Sequence, residues 1–178
     1  MKKYIQSVLI IALCLVSYSI AQAQEVPNPR VSPTMISATT VDGAYIKVVY
    51  GMPFKKQREV FGGLVPYGEV WRTGANEATE ITITKDVSFN GVDVPAGHYS
   101  LLTIPTENEW TIIFNKDLGM WGAFNYKAEN DVVRFTVPTE TLMDEWEAFR
   151  ILLVTEEGSN SLQMKWDKTG VTIPFVVK

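Results

Sequence analysis

The segment "TEITITKDVSFNGVDVPAGHYSLLTI" (residues 79–104) decides the fold class, because its polarity alternates from one residue to the next. Residues 79–85 alternate isoleucines with threonines, a pattern that is typical of a half-buried β-strand. Residues 86–94 predict a hairpin around Asn90-Gly91, since this pair tolerates the positive φ angles of a two-residue type I′ turn. Residues 95–97, "PAG", then turn the chain into a further strand over residues 98–104.

The same two-residue period extends over most of the chain outside this segment. Short runs rich in β-branched and aromatic residues, bounded by turn residues, predict strands over residues 44–50, 109–115 and 131–137. The tail, residues 162–177, predicts two strands joined by a turn at "DKTG" (167–170). Pro174 marks the last of these strands as an edge position or a late bulge.

Two segments depart from this period. Residues 55–63 predict one helical turn before their glycines, and the first half of residues 139–154 has helical spacing before a second half that favours a strand. The whole pattern predicts an all-β fold, an antiparallel β-sandwich of about nine strands with one or two short helical turns. A single sheet closed into a barrel is the alternative.

The first 24 residues, "MKKYIQSVLIIALCLVSYSIAQAQ", have the pattern of a secretory signal peptide. Two lysines precede an apolar run from Ile5 to Ile20, and Ala21-Gln22-Ala23 supplies the small-x-small cleavage pattern. Residues 1–23 are therefore predicted to be cleaved after Ala23, with export to the periplasm or the medium. An uncleaved N-terminal anchor is the alternative, and lipidation of Cys14 is rejected because Leu13 precedes it where a small residue is needed.

Removal of residues 1–23 from the 178-residue chain leaves 155 residues, which suits one domain. A polar lead-in with three prolines, residues 24–33, precedes this predicted domain at residues 34–178. The full chain has a formal net charge of −4, and loss of Lys2 and Lys3 makes it −6. An acidic chain without basic runs argues against nucleic acid as a partner. No further apolar stretch is long enough to span a membrane, and Cys14 is the only cysteine.

A candidate ligand site lies in "GEVWRTGANEATEI" (residues 68–81), where four side chains of different chemistry fall within seven positions. Trp71 offers a flat apolar platform, and the planar fork of Arg72 matches carboxylates or phosphates. Asn76 can donate and accept hydrogen bonds, and Glu77 accepts them. These residues predict a loop-rimmed groove for a small polar ligand. The alternative is a structural lock in which Arg72 pairs with Glu77 or Glu69, Asn76 caps the loop and Trp71 fills the core.

The glycine-bounded segment "LGMWGAFNY" (residues 118–126) supplies three further aromatic side chains, Trp121, Phe124 and Tyr126. Loop aromatics on a β-scaffold can extend a groove for sugars or apolar ligands, and Trp121 and Tyr126 are assigned to the candidate site on this basis. The alternative is that they cover the open end of the sandwich.

Catalytic and metal-binding patterns are weak in this sequence. His98 is the only histidine, and neither a Gly-x-Ser-x-Gly elbow nor a cysteine of the predicted mature chain accompanies it. A single histidine is too few for a structural zinc site, and no calcium loop or phosphate-cradling glycine pattern is present. We therefore predict no metal and no cofactor, and name no catalytic residue.

Several long blocks in order resemble one family: "FGGLVPYG", "VWRTGANEAT", "PAGHYSLLTIP" and "WTIIFNK" followed by "WGAFNY". On these blocks the chain, from about Ser32 onward, is similar to the secreted bacterial family known as domain of unknown function 2911 (DUF2911). The resemblance implies an exported, mainly β protein and carries no activity with it. His98 stands where the family pattern leads us to expect threonine or another small polar residue, which argues against a catalytic role for it.

Three functional hypotheses follow. The first is a noncatalytic module that binds a small ligand or an envelope partner through the groove, and binding is favoured over catalysis. The second is a hydrolase-like enzyme that uses Glu77, with Arg72 as an anion anchor and His98 as base. The third is an envelope structural protein whose edge strands pair with a partner.

Overall fold

The computed structural model describes residues 29–156 and 158–178. The predicted signal peptide, residues 1–23, and most of the predicted lead-in, residues 24–28, lie outside the described residues. Val31–Lys178 forms one compact unit. No helix in the described part of the chain has the length and hydropathy needed to cross a bilayer.

The described residues form ten strands and one short 3₁₀ helix, Ala128–Asn130. The strands are β1 (Thr34–Val41), β2 (Ala44–Gly51), β3 (Glu80–Ile83), β4 (Val87–Phe89), β5 (Val92–Val94), β6 (Gly97–Pro105), β7 (Glu109–Asn115), β8 (Asp131–Pro138), β9 (Glu140–Glu156) and β10 (Ser159–Val177). They build a six-stranded sheet in the order β1-β2-β3-β6-β7-β8 and a four-stranded sheet in the order β5-β4-β10-β9, and every pairing is antiparallel. The predicted all-β, antiparallel sandwich is confirmed.

The core lies between the two sheets and follows from the alternation along each strand. In β2, Ile46, Val48 and Tyr50 face inward and are buried, whereas Tyr45 on the opposite face is exposed. Each fully buried large apolar side chain contributes roughly 1.5–3 kcal/mol to folding. The predicted hairpin turn is confirmed too, because Asn90 and Gly91 have φ angles of 51° and 81° between β4 and β5.

The strand pair β6–β7 is buried on both faces. Leu101 of β6 lies in the main core between the sheets. Leu102 points the other way, into a second, smaller cluster with Ala78, Ile113 and Met120. The loops around Ala78 and Met120 therefore cover the outer face of the six-stranded sheet here, and they carry most of the residues predicted to form a site.

Two predictions near the C-terminus are wrong. No helical turn begins β9, which is extended from Glu140 onward, and no turn divides the tail at residues 167–170, because β10 is continuous. The two long strands pair with each other through two register shifts around Asp167, whose φ angle of 54° kinks the strand without reversing it. The apparent helical spacing includes Met143, which is 99% exposed and packs against no core.

The remaining differences concern short elements. Residues 55–63 form turns and no helix, whereas the 3₁₀ helix at Ala128–Asn130 was not predicted. β1 was also not predicted, because its inward positions mix Met35 and Val41 with Ser37 and Thr39 and so blur the alternation. Pro174 lies in β10 beyond Gly170, the last residue paired with β9, so its missing N–H disrupts no pairing with that strand.

Candidate functional site

The predicted site segment runs beside the second half of β6. β3 pairs with β6 only as far as Ser100. Beyond that point the backbone of Trp71 exchanges hydrogen bonds with Thr103, at 2.7 Å from Trp71 N to Thr103 O and 3.0 Å from Thr103 N to Trp71 O. Trp71 therefore takes the position beside β6 that β3 leaves open, and this fixes the start of the loop that follows.

Buried hydroxyl groups fix the loop itself. The hydroxyls of Thr73 and Thr103 lie 3.1 Å apart in a hydrogen bond, and the hydroxyl of Thr79 donates to the carbonyl of Thr73 at 2.6 Å. All three threonines are fully buried. The backbone N–H of Thr79 also donates to the carbonyl of Arg72 at 3.0 Å. The loop is therefore closed on itself by bonds shielded from water.

The loop also packs against the end of β2 at backbone contact distance. The N–H of Ala75 donates to the carbonyl of Gly51 at 3.0 Å. A Cβ atom at Gly51 would lie 2.0 Å from the carbonyl oxygen of Ala75, and one at Gly74 would lie 2.8 Å from the carbonyl oxygen of Gly51. This close approach needs glycine on both sides.

Trp71 fills the core, as the structural-lock alternative expects. Its side chain is 7% exposed and its Nε1 donates to the carbonyl of Gly74 at 3.1 Å. The ring stacks on Trp166 with centroids 6.0 Å apart at 17°, and it meets Trp110 and Phe149 edge-on. Trp71 is thus the centre of an aromatic cluster and offers no open platform for a ligand.

A cleft of about 460 Å³ nevertheless opens beside this loop, and we call it the Arg72 cleft. Trp71, Arg72 and Asn76 line it, so three of the six predicted site residues come together. Its other walls come from Ser32, from residues between Pro53 and Val70, from Trp166 of β10, and from Ala123 and Phe124.

Arg72 is the distinctive group of this cleft. Its Nε is buried and has no hydrogen-bond partner in the described structure. Burial is the one cause that lowers the pKa of its guanidinium, and no carboxylate counters that shift. The other arginine that lines the cleft is different, because Arg58 donates to the carbonyls of Lys55 and Phe54 at 3.0 and 2.8 Å. Arg72 is therefore a partly desolvated cation that faces a cleft.

Asn76 connects the cleft to the neighbouring segments. Its Nδ2 donates to the carbonyl of Ser32 at 3.1 Å, and its own carbonyl accepts from the N–H of Gly122 at 3.1 Å. Its φ angle of 64° is left-handed, a conformation that asparagine adopts more readily than most residues. Asn76 therefore holds the wall of the cleft as well as lining it.

The other three predicted site residues do not line the cleft. Glu77 forms a backbone bridge with Trp121 and is exposed, and Trp121 is 59% exposed. Tyr126 donates its hydroxyl to Asp131 at 2.8 Å and accepts from Arg134. Their loop covers the outer face of the six-stranded sheet through Met120.

Most residues that line the cleft lie outside the predicted site, and three of them are notable for their exposure or charge. Phe124, in the same loop as Trp121, is 84% exposed and lines the cleft. Leu64 and Glu69 line it from the turns that precede Trp71. Leu64 and Phe124 lie in sequence blocks that carry the family resemblance and Glu69 lies between two of them, but no periodicity distinguishes these residues from ordinary loop residues.

His98 lies far from these groups. It is exposed near the start of β6 and its Nδ1 is 3.0 Å from the hydroxyl of Thr82. Thr103, which pairs with Trp71, lies five residues further along the same strand, or about 16 Å at ~3.3 Å per residue. Within residues 29–156 and 158–178, no three His, Cys, Asp or Glu side chains come together as a potential metal site.

Fold and site together define the class: an antiparallel β-sandwich with a loop-built cleft beside a partly desolvated arginine. The family model described as "Protein of unknown function (DUF2911)" matches residues 32–175, and the chain belongs to this family. The resemblance seen in the sequence is thereby confirmed. No curated protein and no solved structure matches the chain.

Proposed function

We propose that this protein is an exported, noncatalytic binding module whose Arg72 cleft takes a small ligand with an anionic group. The observation that carries the proposal is the state of Arg72, whose Nε is buried without a partner while the side chain lines the cleft. Arginine binds carboxylates and phosphates through two parallel hydrogen bonds. A ligand anion in the cleft would supply the counter-charge that no carboxylate of the described structure gives this guanidinium.

The energetics favour this reading over a structural role for Arg72. A buried donor without a partner costs roughly 1–3 kcal/mol of stability. Burying part of a cation without a counter-charge adds to that cost. A partly desolvated cation that has an unpartnered buried donor and no counter-charge is the pattern of a binding residue that destabilises the free protein.

The dimensions of the cleft suit a small molecule. A volume of about 460 Å³ lies within the range of roughly 300–1,000 Å³ that is usual for ligand sites. At ~30 Å³ per molecule it corresponds to about 15 waters. Its walls combine apolar side chains with a few polar groups, which is the usual composition of such sites.

Binding is preferred over the hydrolase-like alternative because of where the acid and base candidates lie. That alternative requires Glu77, Arg72 and His98 to share one pocket, whereas neither Glu77 nor His98 lines the Arg72 cleft. Export rests on the signal-peptide pattern of residues 1–23. The alternative of an edge-pairing envelope protein has no specific observation in its favour.

The test is thermal denaturation of the mature chain, residues 24–178, with three matched probes at millimolar concentration. The probes are 3-phenylpropanoate, 2-phenylethyl phosphate and the neutral 3-phenylpropanamide. At 100 times its Kd a ligand adds about 2.7 kcal/mol, which raises the Tm by roughly 5–11 °C at this size. We expect at least one anion to do this and the amide to have no effect.

The matched variants are Arg72→Met and, as control, Arg134→Met. Arg134 binds Asp131 and Tyr126 and does not line the cleft. The anion effect should disappear in the first variant and persist in the second. The proposal is wrong if neither anion raises the Tm of the wild type, or if the rise survives in Arg72→Met.

A further inference from the structure

We infer that the ligand of the Arg72 cleft carries an apolar body beside its anionic group, and that Phe124 is the residue that recognises this body. This inference deepens the proposed function and rests on it. The anionic group can be a carboxylate or a phosphate, since an arginine binds both. The apolar body is an aromatic ring or an alkyl group of similar size.

Phe124 differs from the other phenylalanines of the chain. All eight lie in the part of the chain that the structure describes, and six of them are buried. Phe54 is half-buried and packs against the core. Phe124 is 84% exposed and lines the Arg72 cleft. The fold therefore leaves most of this ring open, and a ligand in the cleft can cover part of it.

The loop that carries Phe124 is fixed by backbone hydrogen bonds. The N–H of Gly122 donates to the carbonyl of Asn76 at 3.1 Å, and the N–H of Tyr126 donates to the carbonyl of Ala123 at 3.2 Å. The second of these bonds closes a turn around Phe124. A Cβ atom at Gly122 would lie 2.8 Å from the Phe124 ring, so the ring lies against the backbone of Gly122. An exposed side chain that is held in this way loses less entropy when a ligand covers it.

A second exposed apolar side chain lines the cleft from a different segment. Leu64 is 41% exposed, and its N–H donates to the carbonyl of Glu59 at 3.0 Å. Leu64 and Phe124 are sixty positions apart in the sequence, so two separate segments each present an apolar side chain to one cleft. A single exposed apolar residue is common on a protein surface, whereas two of them at one cleft favour a ligand with an apolar part.

The size of the cleft also calls for more than a bare anion. Its volume of about 460 Å³ corresponds to about 15 waters at ~30 Å³ each. An inorganic anion on Arg72 would fill only a small part of this space. The rest of the ligand would occupy the remainder, where contact with Leu64 and Phe124 removes apolar surface from water and so favours binding.

The test measures how much a phenyl group adds to affinity, by isothermal titration calorimetry of residues 24–178. Two matched pairs of anions are compared: propanoate with 3-phenylpropanoate, and ethyl phosphate with 2-phenylethyl phosphate. We expect the phenyl group to strengthen binding roughly tenfold or more in both pairs, as the burial of a large apolar side chain does. A gain in both pairs would not depend on the anionic group.

Phe124→Ala is the decisive variant, and Trp121→Ala is its matched control. Trp121 lies in the same loop and is 59% exposed, but it does not line the cleft. Phe124→Ala should reduce the phenyl gain about two- to tenfold, the usual contribution of one aromatic pair, and leave the two anions without a ring unchanged. Trp121→Ala should leave all four affinities unchanged. Both side chains are exposed, so neither variant should lower the Tm by more than about 2 °C.

A second copy of the chain is the other molecule that could cover the Phe124 ring. Sedimentation equilibrium of residues 24–178 tests this, and we expect a monomer. A dimer that Phe124→Ala dissociates would overturn the inference, because the ring would then belong to a contact between copies.

The calorimetric outcomes separate this inference from the proposed function. Binding of all four anions without a phenyl gain overturns the apolar body and leaves the anion site intact. A phenyl gain that survives in Phe124→Ala overturns the role of Phe124. Binding of 3-phenylpropanoate that is unchanged in Arg72→Met overturns the anion site and leaves the contact with Phe124. Failure of all four anions to bind overturns both proposals.

Discussion

Replacing Arg72 with methionine should leave the protein as stable as the wild type or make it more stable. If Arg72 held the loop in place, the same replacement would destabilise the protein. The Nε of Arg72 is buried without a partner, so the folded state gains nothing from that donor. Methionine keeps an unbranched apolar chain of similar reach and removes the charge. The variant therefore separates the two readings of the loop that the sequence left open.

The magnitude follows from the state of the side chain. An unsatisfied buried donor costs roughly 1–3 kcal/mol. Arg72 is intermediate in exposure, so its desolvation is incomplete and the lower half of that range applies. We expect the free energy of unfolding to change by between zero and about 2 kcal/mol in the stabilising direction. At this chain length each kcal/mol moves the Tm by roughly 2–4 °C.

Urea denaturation of residues 24–178 measures this effect, with the m-value as a check that the same surface unfolds. Arg134→Met is the matched control, because Arg134 donates to Asp131 at 2.7 Å and to Tyr126. That variant should lose roughly 0.5–1 kcal/mol, as is usual for a partly exposed ion pair. A loss of more than about 1 kcal/mol in Arg72→Met would refute the reasoning and identify Arg72 as part of the lock.

Three other predictions concern the fold, its pH dependence and export. Gly51→Ala should destabilise strongly, by roughly 3 kcal/mol or more in urea, because its Cβ would lie 2.0 Å from the carbonyl oxygen of Ala75; a near-neutral result would mean that the close approach is not rigid. Burial, assisted by the charge of Asp86, raises the pKa of Tyr99, so the unfolded chain loses this proton first and stability should fall as the pH rises above ~10. Tyr99→Phe should reduce that fall, and an unchanged slope would contradict it. Intact-mass measurement of the exported protein should give a chain that begins at Gln24, and a chain that retains Met1 would favour the uncleaved anchor.

The core of the sandwich could be predicted from the sequence because one local rule generates it. Alternating residues such as Ile46 and Val48 must face the same side of a strand, so the buried face follows from the period alone. The burial of β6 on both faces, with Leu101 and Leu102 in different clusters, was not predicted. What covers the outer face is a question of tertiary contact, and no local period encodes it.

The errors have the same origin. In β9 the spacing of Leu142, Met143 and Trp146 matches a helix, but the paired backbone of β10 determines the conformation. Strand preference depends more on the partner than on the residue itself. The composition of "DKTG" (167–170) predicts a turn, but residues that favour turns also occur in strand irregularities, and Asp167, with its φ angle of 54°, lies in one.

Only the part of the cleft that comes from neighbouring residues could be predicted from the sequence. Trp71, Arg72 and Asn76 are neighbours in sequence, and all three line the cleft. Phe124 reaches the cleft from a loop roughly fifty positions away, and backbone contacts of that loop with Asn76, Glu77 and Ala78 bring it there. The choice of Phe124 over Trp121 depends on the path of that loop, which the sequence does not reveal.

One loop carries both the buried hydrogen bonds that fix its conformation and the wall of the Arg72 cleft. These hydrogen bonds explain how the cleft keeps its shape. Thr73, directly after Arg72, has a φ angle of 55°, a conformation that costs a β-branched residue of the order of 1–3 kcal/mol. Its buried hydrogen bonds to Thr79 and Thr103 hold it there. A relaxed loop would let the guanidinium of Arg72 turn toward water, whereas this one keeps its Nε buried at the wall of the cleft. Such rigidity is what a binding arginine requires, since the orientation of the fork is fixed before a ligand arrives and less entropy is lost on binding.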